Sequence, residues 1–493
     1  MSESPRPWYT LLNRYHWFVL IVAALGWLFD TMDQQLFTFA RQPAMTELLS
    51  REQTVTVDGE EKKIRVVNED AAASESPIAM TKTEVADAQD KVKKALSWGG
   101  TLATSIFLIG WATGGLVFGV IGDKIGRAKT MLLTILLYSL FTGLSAFSRG
   151  FLDFAAFRFL TGLGVGGEFA VGVALVAEVM PAQARAAALG TLQALSAVGN
   201  ITAALISMYL GHLQGAGDIS LFGHPFKAWR IMFLIGTVPA LLAIVIRAKL
   251  KEPERWQSVS HDGAVEKQLG SYAELFGNPR WRKNALAGMM MAFAGVVGLW
   301  GVGFFTPELT RPVLEAKLKA DGLSPDEIES GKAFWVGIMF IIQNIGGALG
   351  IWAYAYVTQR TGRKPAFAVA FVLAAGMTAY VFWNLKEFNQ IFWMIPIMGF
   401  CQLSLFGGYA IYFPELFPTH LRSTGTSFCY NVGRFVAASG PVGLGLLTTK
   451  VFTEAKGYQD GFRYAAVAMS SVLLLGLVAL LFAPETRGQE LPE

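Results

Sequence analysis

Twelve separate runs of about 20 predominantly apolar residues fill this chain, each long enough to cross a bilayer core at about 1.5 Å per helical residue. They fall at 17–40, 98–121, 130–148, 151–177, 188–211, 229–248, 284–306, 333–357, 366–385, 390–413, 423–448 and 461–483. A soluble core cannot absorb so many. Of 493 residues, 53% are hydrophobic and 16% charged, against about a quarter charged in an ordinary globular chain. The pattern predicts an all-α integral membrane protein of twelve transmembrane helices. A net charge of only +4 gives nucleic acid no hold on it. Cys401 and Cys429 both fall inside apolar runs, so neither a disulfide framework nor a metal site is expected. Residues 1–16 are polar and no short cleavable signal follows, so the first run reads as a span that stays in place.

Lysine and arginine orient the spans. The loops after even-numbered spans carry Lys124, Arg127 and Lys129, then Arg185, then Arg360, Arg363 and Lys364, then Arg422, whereas Ser148-Arg149-Gly150 holds a single Arg. Both termini are therefore expected in the cytoplasm, with the protein in a plasma (inner) membrane. Two segments lie outside the spans. Residues 42–97 form an external loop in which Thr54–Val57 and Ile64–Val67 flank Asp58-Gly59, the pattern of a β-hairpin, followed by an amphipathic helix over 80–97; a disordered loop is the alternative. Residues 249–283 link an N-terminal half, 1–248, to a C-terminal half, 284–493.

The halves repeat. Glu178-Val-Met-Pro181-Ala-Gln-Ala-Arg185 recurs as Glu415-Leu-Phe-Pro418-Thr-His-Leu-Arg422. Asp123-Lys124-Ile-Gly126-Arg127 recurs more loosely as Gln359-Arg360-Thr-Gly362-Arg363, and Glu252-Pro253-Glu254-Arg255 has an echo in Pro484-Glu485-Thr486-Arg487. Parallel repeats of this kind place a substrate site between the halves near the midplane and work by rocking one against the other. The stretch Gly119-Val-Ile-Gly-Asp123-Lys124-Ile-Gly126-Arg127-Ala-Lys129 resembles the loop motif between the second and third helices of the major facilitator superfamily. Within that superfamily, Asp30-Thr-Met-Asp33 and Arg158-Phe-Leu-Thr-Gly162-Leu-Gly164-Val-Gly166-Gly167-Glu168 are similar to motifs of aromatic-acid and sialate symporters, and the Glu–Pro–Arg loops resemble the sugar-porter branch. The resemblance covers nearly the whole chain except 42–97. It implies two pseudo-symmetric six-helix bundles and secondary transport by alternating access. The second copy of the loop motif departs from the pattern, with Ala355 for the first Gly and Gln359 for the Asp.

An ionisable residue inside a bilayer costs at least about 2.5–3.5 kcal/mol and marks function by default. Asp30 and Asp33 lie one turn apart on the first span, roughly 20–24 Å from its cytoplasmic end, and Arg158 enters the fourth roughly 10 Å from the outside. Acid and base thus meet at similar depth. Glu168 lies deeper, where it could take a proton from the inner side or hold a neighbouring helix. These four are the expected proton-coupling residues; a structural ion pair is the rival reading. Arg434, roughly 18 Å into the eleventh span, has no carboxylate at comparable depth in its own half. A substrate carboxylate would relieve it; otherwise Asp30 or Asp33 would, from across the interface. Further expected substrate contacts are Gln34, Gln193, Asn200, Trp300, Gln343, Asn344, Gln402, Tyr409, Tyr430 and Asn431, each also eligible for plain helix packing. Gly119, Asp123, Gly126, Arg127, Glu178, Arg185, Arg363, Glu415 and Arg422 are expected to form a cytoplasmic gate.

The reading is therefore a monomeric transporter, not an enzyme, that needs no cofactor or metal and carries a small carboxylate or sugar acid with protons. A sugar transporter or drug exporter of the same fold, or a non-transporting sensor, are the alternatives. Gly162-Leu-Gly164-Val-Gly166-Gly167 matches a dinucleotide-binding pattern but has no strand before it, so close helix packing is expected instead.

Overall fold

The structure, a computed structural model, describes residues 7–68, 78–215, 219–221, 224–260, 268–437, 443–444, 446–452 and 458–492. In lipid every backbone N–H and C=O must be satisfied within its own segment, so the apolar runs become helices. The first bundle comprises α1 (Arg14–Leu49), α2 (Lys82–Ile125), α3 (Arg127–Ser145), α4 (Phe151–Val179), α5 (Ala182–Gly215), and the pair α6 (Ala228–Ile235) and α7 (Ala240–Lys249). Two short helices, α8 (Glu254–Ser260) and α9 (Tyr272–Gly277), lie between the bundles. The second comprises α10 (Pro279–Gly301), α11 (Thr306–Ala320), α12 (Pro325–Thr361), α13 (Arg363–Asn384), α14 (Ile391–Tyr412), α15 (Arg422–Ala437), α16 (Tyr458–Ser470) and α17 (Leu475–Phe482).

Eleven of the twelve expected spans are helices long and apolar enough to cross a membrane among the described residues. The remaining one, the eleventh, expected over 423–448, is opened by α15, and 438–442 and 445 lie outside the described residues. The sixth span breaks after Ile235 and resumes after Pro239, whose ring cannot donate to the ladder. Burial is inverted relative to a soluble protein. Leu140, Leu241, Ile244 and Leu481 are exposed on the outside, while Asp33, Arg127, Arg158 and Arg422 are fully enclosed.

Three helices overrun their apolar runs. Helix α1 continues to Leu49, and α2 begins at Lys82, where Thr81 and Glu84 form a reciprocal capping box. Between them β1 (Ser50–Val57) and β2 (Glu60–Val67) form the expected hairpin, turning at Asp58 (φ 53°) and Gly59 (φ 84°), and β3 (Ile78–Ala79) adds a short parallel strand. Val55, Val57, Ile64 and Val66 bury one face of this sheet against Met80, Val85 and Ala88. Helix α12 likewise starts at Pro325, ahead of the run at 333.

Helix α4 is the centre of the first bundle, packed by α1, α2 and α3. A Cβ on Gly162 or Gly166 would strike the α2 backbone at Phe107 O and Trp111 O, so the glycine-rich run serves close helix packing. The bundles meet along two lines, α2 against α15 and α5 against α12. The repeat relates the two lines, since α2 corresponds to α12 and α5 to α15.

Candidate functional site

A cavity of about 330 Å³ lies between the bundles. Its lining on α1 runs from Trp27 through Thr31, Gln34, Gln35 and Thr38 to Arg41, away from the helix end that carries Arg14. On that far side Glu308 and Arg311 of α11 also line it. Of the expected substrate contacts, Gln34, Gln193, Asn200, Trp300, Gln343, Asn344, Tyr430 and Arg434 line this space. Asn200 Nδ2 donates to Asn344 Oδ1 at 2.8 Å, tying α5 to α12.

Three do not reach it. Gln402 Nε2 donates to Thr378 Oγ1 at 2.8 Å, and the Tyr409 hydroxyl donates to Met291 O at 2.7 Å while its ring stacks on Phe413. Both are bound up inside the second bundle. Asn431 stands behind the wall as a support, accepting from Arg434 Nη1 at 2.9 Å and donating to Ser427 O at 3.0 Å. Sequence reading had not singled out Trp27, Trp111, Gln35, Thr38 or Arg41. The apolar residues on every side of α1 and α2 hide which face points inward.

Arg434 closes the end of the cavity. Its guanidinium lies over the rings of Trp111, 3.8 Å away, and Tyr430, 4.4 Å away. Among the described residues no carboxylate comes within 4.0 Å of it, and its Nε has no hydrogen-bond partner. The aromatic floor continues from Tyr430 to Phe169 (4.5 Å) and on to Trp27 (4.3 Å).

The acids lie behind that floor and divide into two groups. Asp33 Oδ2 faces Arg158 Nη1 at 4.0 Å, both fully buried. Arg158 is held by Ser145 Oγ (2.7 Å) and Thr161 Oγ1 (3.0 Å), and Phe233 lies 4.5 Å from its charge. Asp30 is not part of that pair. The charges acting on it are Glu168, Asp33 and Arg434. Glu168 reaches α1 one turn below, where its Oε1 abuts Gly26, and Met131 fills the other side. Among the described residues the carboxylate oxygens of Asp30, Asp33 and Glu168 have no hydrogen-bond partner, nor has the nearby Tyr138 hydroxyl.

The helix ends bearing Asp123 and Arg422 are sealed. Asp123 accepts from Ser423 N (3.1 Å), Thr424 N (2.8 Å) and Thr424 Oγ1 (2.6 Å), so a carboxylate of one bundle caps the first turn of α15 in the other. Arg127 pairs with Asp123 (3.0 Å) and Glu178 (2.9 Å) and donates to Thr419 O (2.6 Å). Arg422 reaches Glu178 at 2.8 Å. Two cations and two anions thus neutralise one another in a buried cluster, and removing one would leave a charge stranded at a cost of about 3–5 kcal/mol. Among the described residues the second copy makes no such bridge. Arg363 binds Glu415 at 2.7 and 3.0 Å within its own bundle, Gln359 donates to Ala355 O, and Arg185 donates to Ala177 O.

The repeat has one further counterpart. Gly126 (φ 112°) and Gly362 (φ 101°) each turn the chain into the next helix, and that helix is capped by a distant carboxylate. Glu252 accepts from Ala128 N and Lys129 N, and Glu485 accepts from Arg363 N and Lys364 N. Glu252 is therefore the counterpart of Glu485. Burial would raise the Glu485 pKa, but backbone donors from Arg363, Lys364, Arg487 and Thr486 outweigh it and hold the carboxyl below its ordinary value.

Gly119 lets α2 and α15 touch at the seal. A Cβ there would lie 2.6 Å from Ser427 Cβ and Oγ. Gly119→Val should therefore weaken the sealed state by about 1–3 kcal/mol. Spin labels at the sealed ends of α4 and α14 should report a longer distance, and transport should fall.

The comparisons with known proteins agree with this architecture. The sugar (and other) transporter family model matches residues 70–269 and again 258–493, one match for each bundle. A Haemophilus influenzae protein named only as a metabolite transporter is 30% identical over 80% of this chain and 88% of its own length. The niacin transporter NiaP of Acinetobacter baylyi is 26% identical, over 97% of this chain and 96% of its own. The solved structure of the proton:xylose symporter XylE of E. coli, bound to 6-bromo-6-deoxy-D-glucose, has a TM-score of 0.69 at 16% identity, over 97% of this chain and 98% of that one. That likeness speaks to the fold. With both repeats matched and the two-bundle architecture in place, this chain belongs to the sugar (and other) transporter family and has the major facilitator fold, a multi-pass membrane transporter rather than an enzyme.

Proposed function

We propose that the protein is a proton symporter for a small organic carboxylate, and that Arg434 binds the substrate anion. The observation that carries this is a fully buried guanidinium lining the central cavity with no carboxylate within 4.0 Å among the described residues. Such a cation is costly unless an anion joins it, and a carboxylate matches its fork of donors. The relative named for niacin, a pyridine carboxylate, supports the same class.

Asp30 and Glu168 would carry the proton. Each is enclosed without a hydrogen-bond donor, and a proton relieves the cost of such a buried anion. Asp33 and Arg158 already neutralise one another and would keep their charges through the cycle. Among the described residues Arg434 is the cation that acts on Asp30. A substrate anion bound to it would compensate that charge and make a proton on Asp30 more favourable, so anion and proton bind together. The repeats would divide at 1–248, 249–283 and 284–493, with both termini and the Asp123 seal in the cytoplasm of a plasma (inner) membrane. The present conformation is then outward-facing, and the protein works as a monomer.

Uptake into proteoliposomes of nicotinate, glucuronate and xylose, with and without an imposed inward proton gradient, tests the reading. Uphill carboxylate uptake that requires the gradient is expected. Gradient-independent xylose uptake without carboxylate transport would replace it with a sugar carrier.

A further inference from the structure

We infer that Trp111 is a specificity-determining residue that donates its indole N–H to the same substrate anion that Arg434 binds; this rests on the anion reading above. Trp111 comes from α2 of the first bundle and Arg434 from α15 of the second, so the two would grip the anion from opposite sides of the moving interface. The indole does two things at once. Its face lies 3.8 Å from the Arg434 guanidinium carbon, which fixes the position of the cation. Its Nε1–H is left without any hydrogen-bond partner, although the residue is only 2% exposed and lines the cavity.

A buried indole N–H normally finds an acceptor, and none is supplied to Trp111 among the described residues. The neighbouring groups show the same imbalance. Trp27 Nε1, Gln34 Nε2 and Arg434 Nε are also buried, unpartnered donors on the cavity lining. Buried, unpartnered acceptors on that lining are fewer among the described residues, Gln193 Oε1 and Asn200 Oδ1. A surplus of donors around one cation calls for a ligand rich in acceptors, and a carboxylate offers about four lone-pair sites on two oxygens. Because Trp111 moves with the first bundle, its hydrogen bond also lets that bundle sense an anion held by the second. Rocking would then proceed with the anion bridging the halves.

Two replacements separate the donor from the ring. Trp111→Phe removes the N–H and shrinks the ring. Benzothienylalanine at position 111, introduced by nonsense suppression, replaces N–H by sulfur and keeps the shape that supports Arg434. Binding of nicotinate and nicotinamide to purified protein is measured for each. Both variants should raise the Kd for nicotinate about ten-fold or more, the range of one hydrogen bond to a charged group, and narrow the preference for nicotinate over nicotinamide. An unchanged nicotinate Kd in the benzothienylalanine protein would overturn the role of the N–H, even if Trp111→Phe fails to fold. If the wild-type protein binds no carboxylate at all, the anion reading itself fails, and the two failures are distinguished by that control.

Discussion

Replacing Arg434 by glutamine is expected to raise the Kd for a carboxylate substrate at least about 100-fold, the loss of roughly 3 kcal/mol that accompanies removal of one partner of a buried ion pair. Glutamine keeps two donors on a side chain two bonds shorter, so it fits the site without a clash. The charge is what disappears. The guanidinium now rests between Trp111 and Tyr430 with Asn431 behind it, and none of these can substitute for it. Binding measured on purified protein separates this effect from any change in expression. A Kd for nicotinate within three-fold of wild type would remove Arg434 from the anion site.

The second large effect concerns Asp30. With Asn at this position the buried group can no longer exchange a proton, and substrate binding should lose its tie to pH. Uphill, gradient-driven uptake should vanish. Exchange of labelled for unlabelled substrate across the membrane should persist, because exchange needs rocking with substrate bound and no net proton movement. Asp33→Asn should behave differently. It leaves Arg158 without its carboxylate, since the remaining contacts are hydroxyls, a carbonyl and aromatic rings. The expected outcome is loss of both uptake and exchange, with reduced stability. Equal behaviour of the two variants would contradict the division of roles.

Much of this was legible before the structure, for identifiable reasons. Spans were legible because lipid imposes a length on every apolar run, and Asp123, Arg127, Glu178 and Arg422 stood out as charges in loop motifs of which all but Asp123 recur in the other half. The hairpin at Asp58-Gly59 was legible because alternation and turn chemistry agree there. The cavity lining was read only in part. Gln402 and Tyr409 were polar and at mid-depth, but each finds a partner inside its own bundle. Trp27 and Trp111 were not singled out, since an indole in an apolar helix gives no sign of which way its N–H points. The separation of Asp30 from the Asp33–Arg158 pair was equally invisible. One helical turn along α1 puts the two acids in different company, Glu168 and Arg434 for the first and Arg158 for the second.

Coupling between anion and proton is tested most directly by calorimetry of nicotinate binding in buffers of different ionisation enthalpy, which counts the protons taken up with the substrate. Uptake of about one proton per nicotinate is expected for the wild-type protein near neutral pH, falling to near zero in Asp30→Asn. Binding with no proton uptake in the wild type, or with undiminished uptake in Asp30→Asn, would contradict the account.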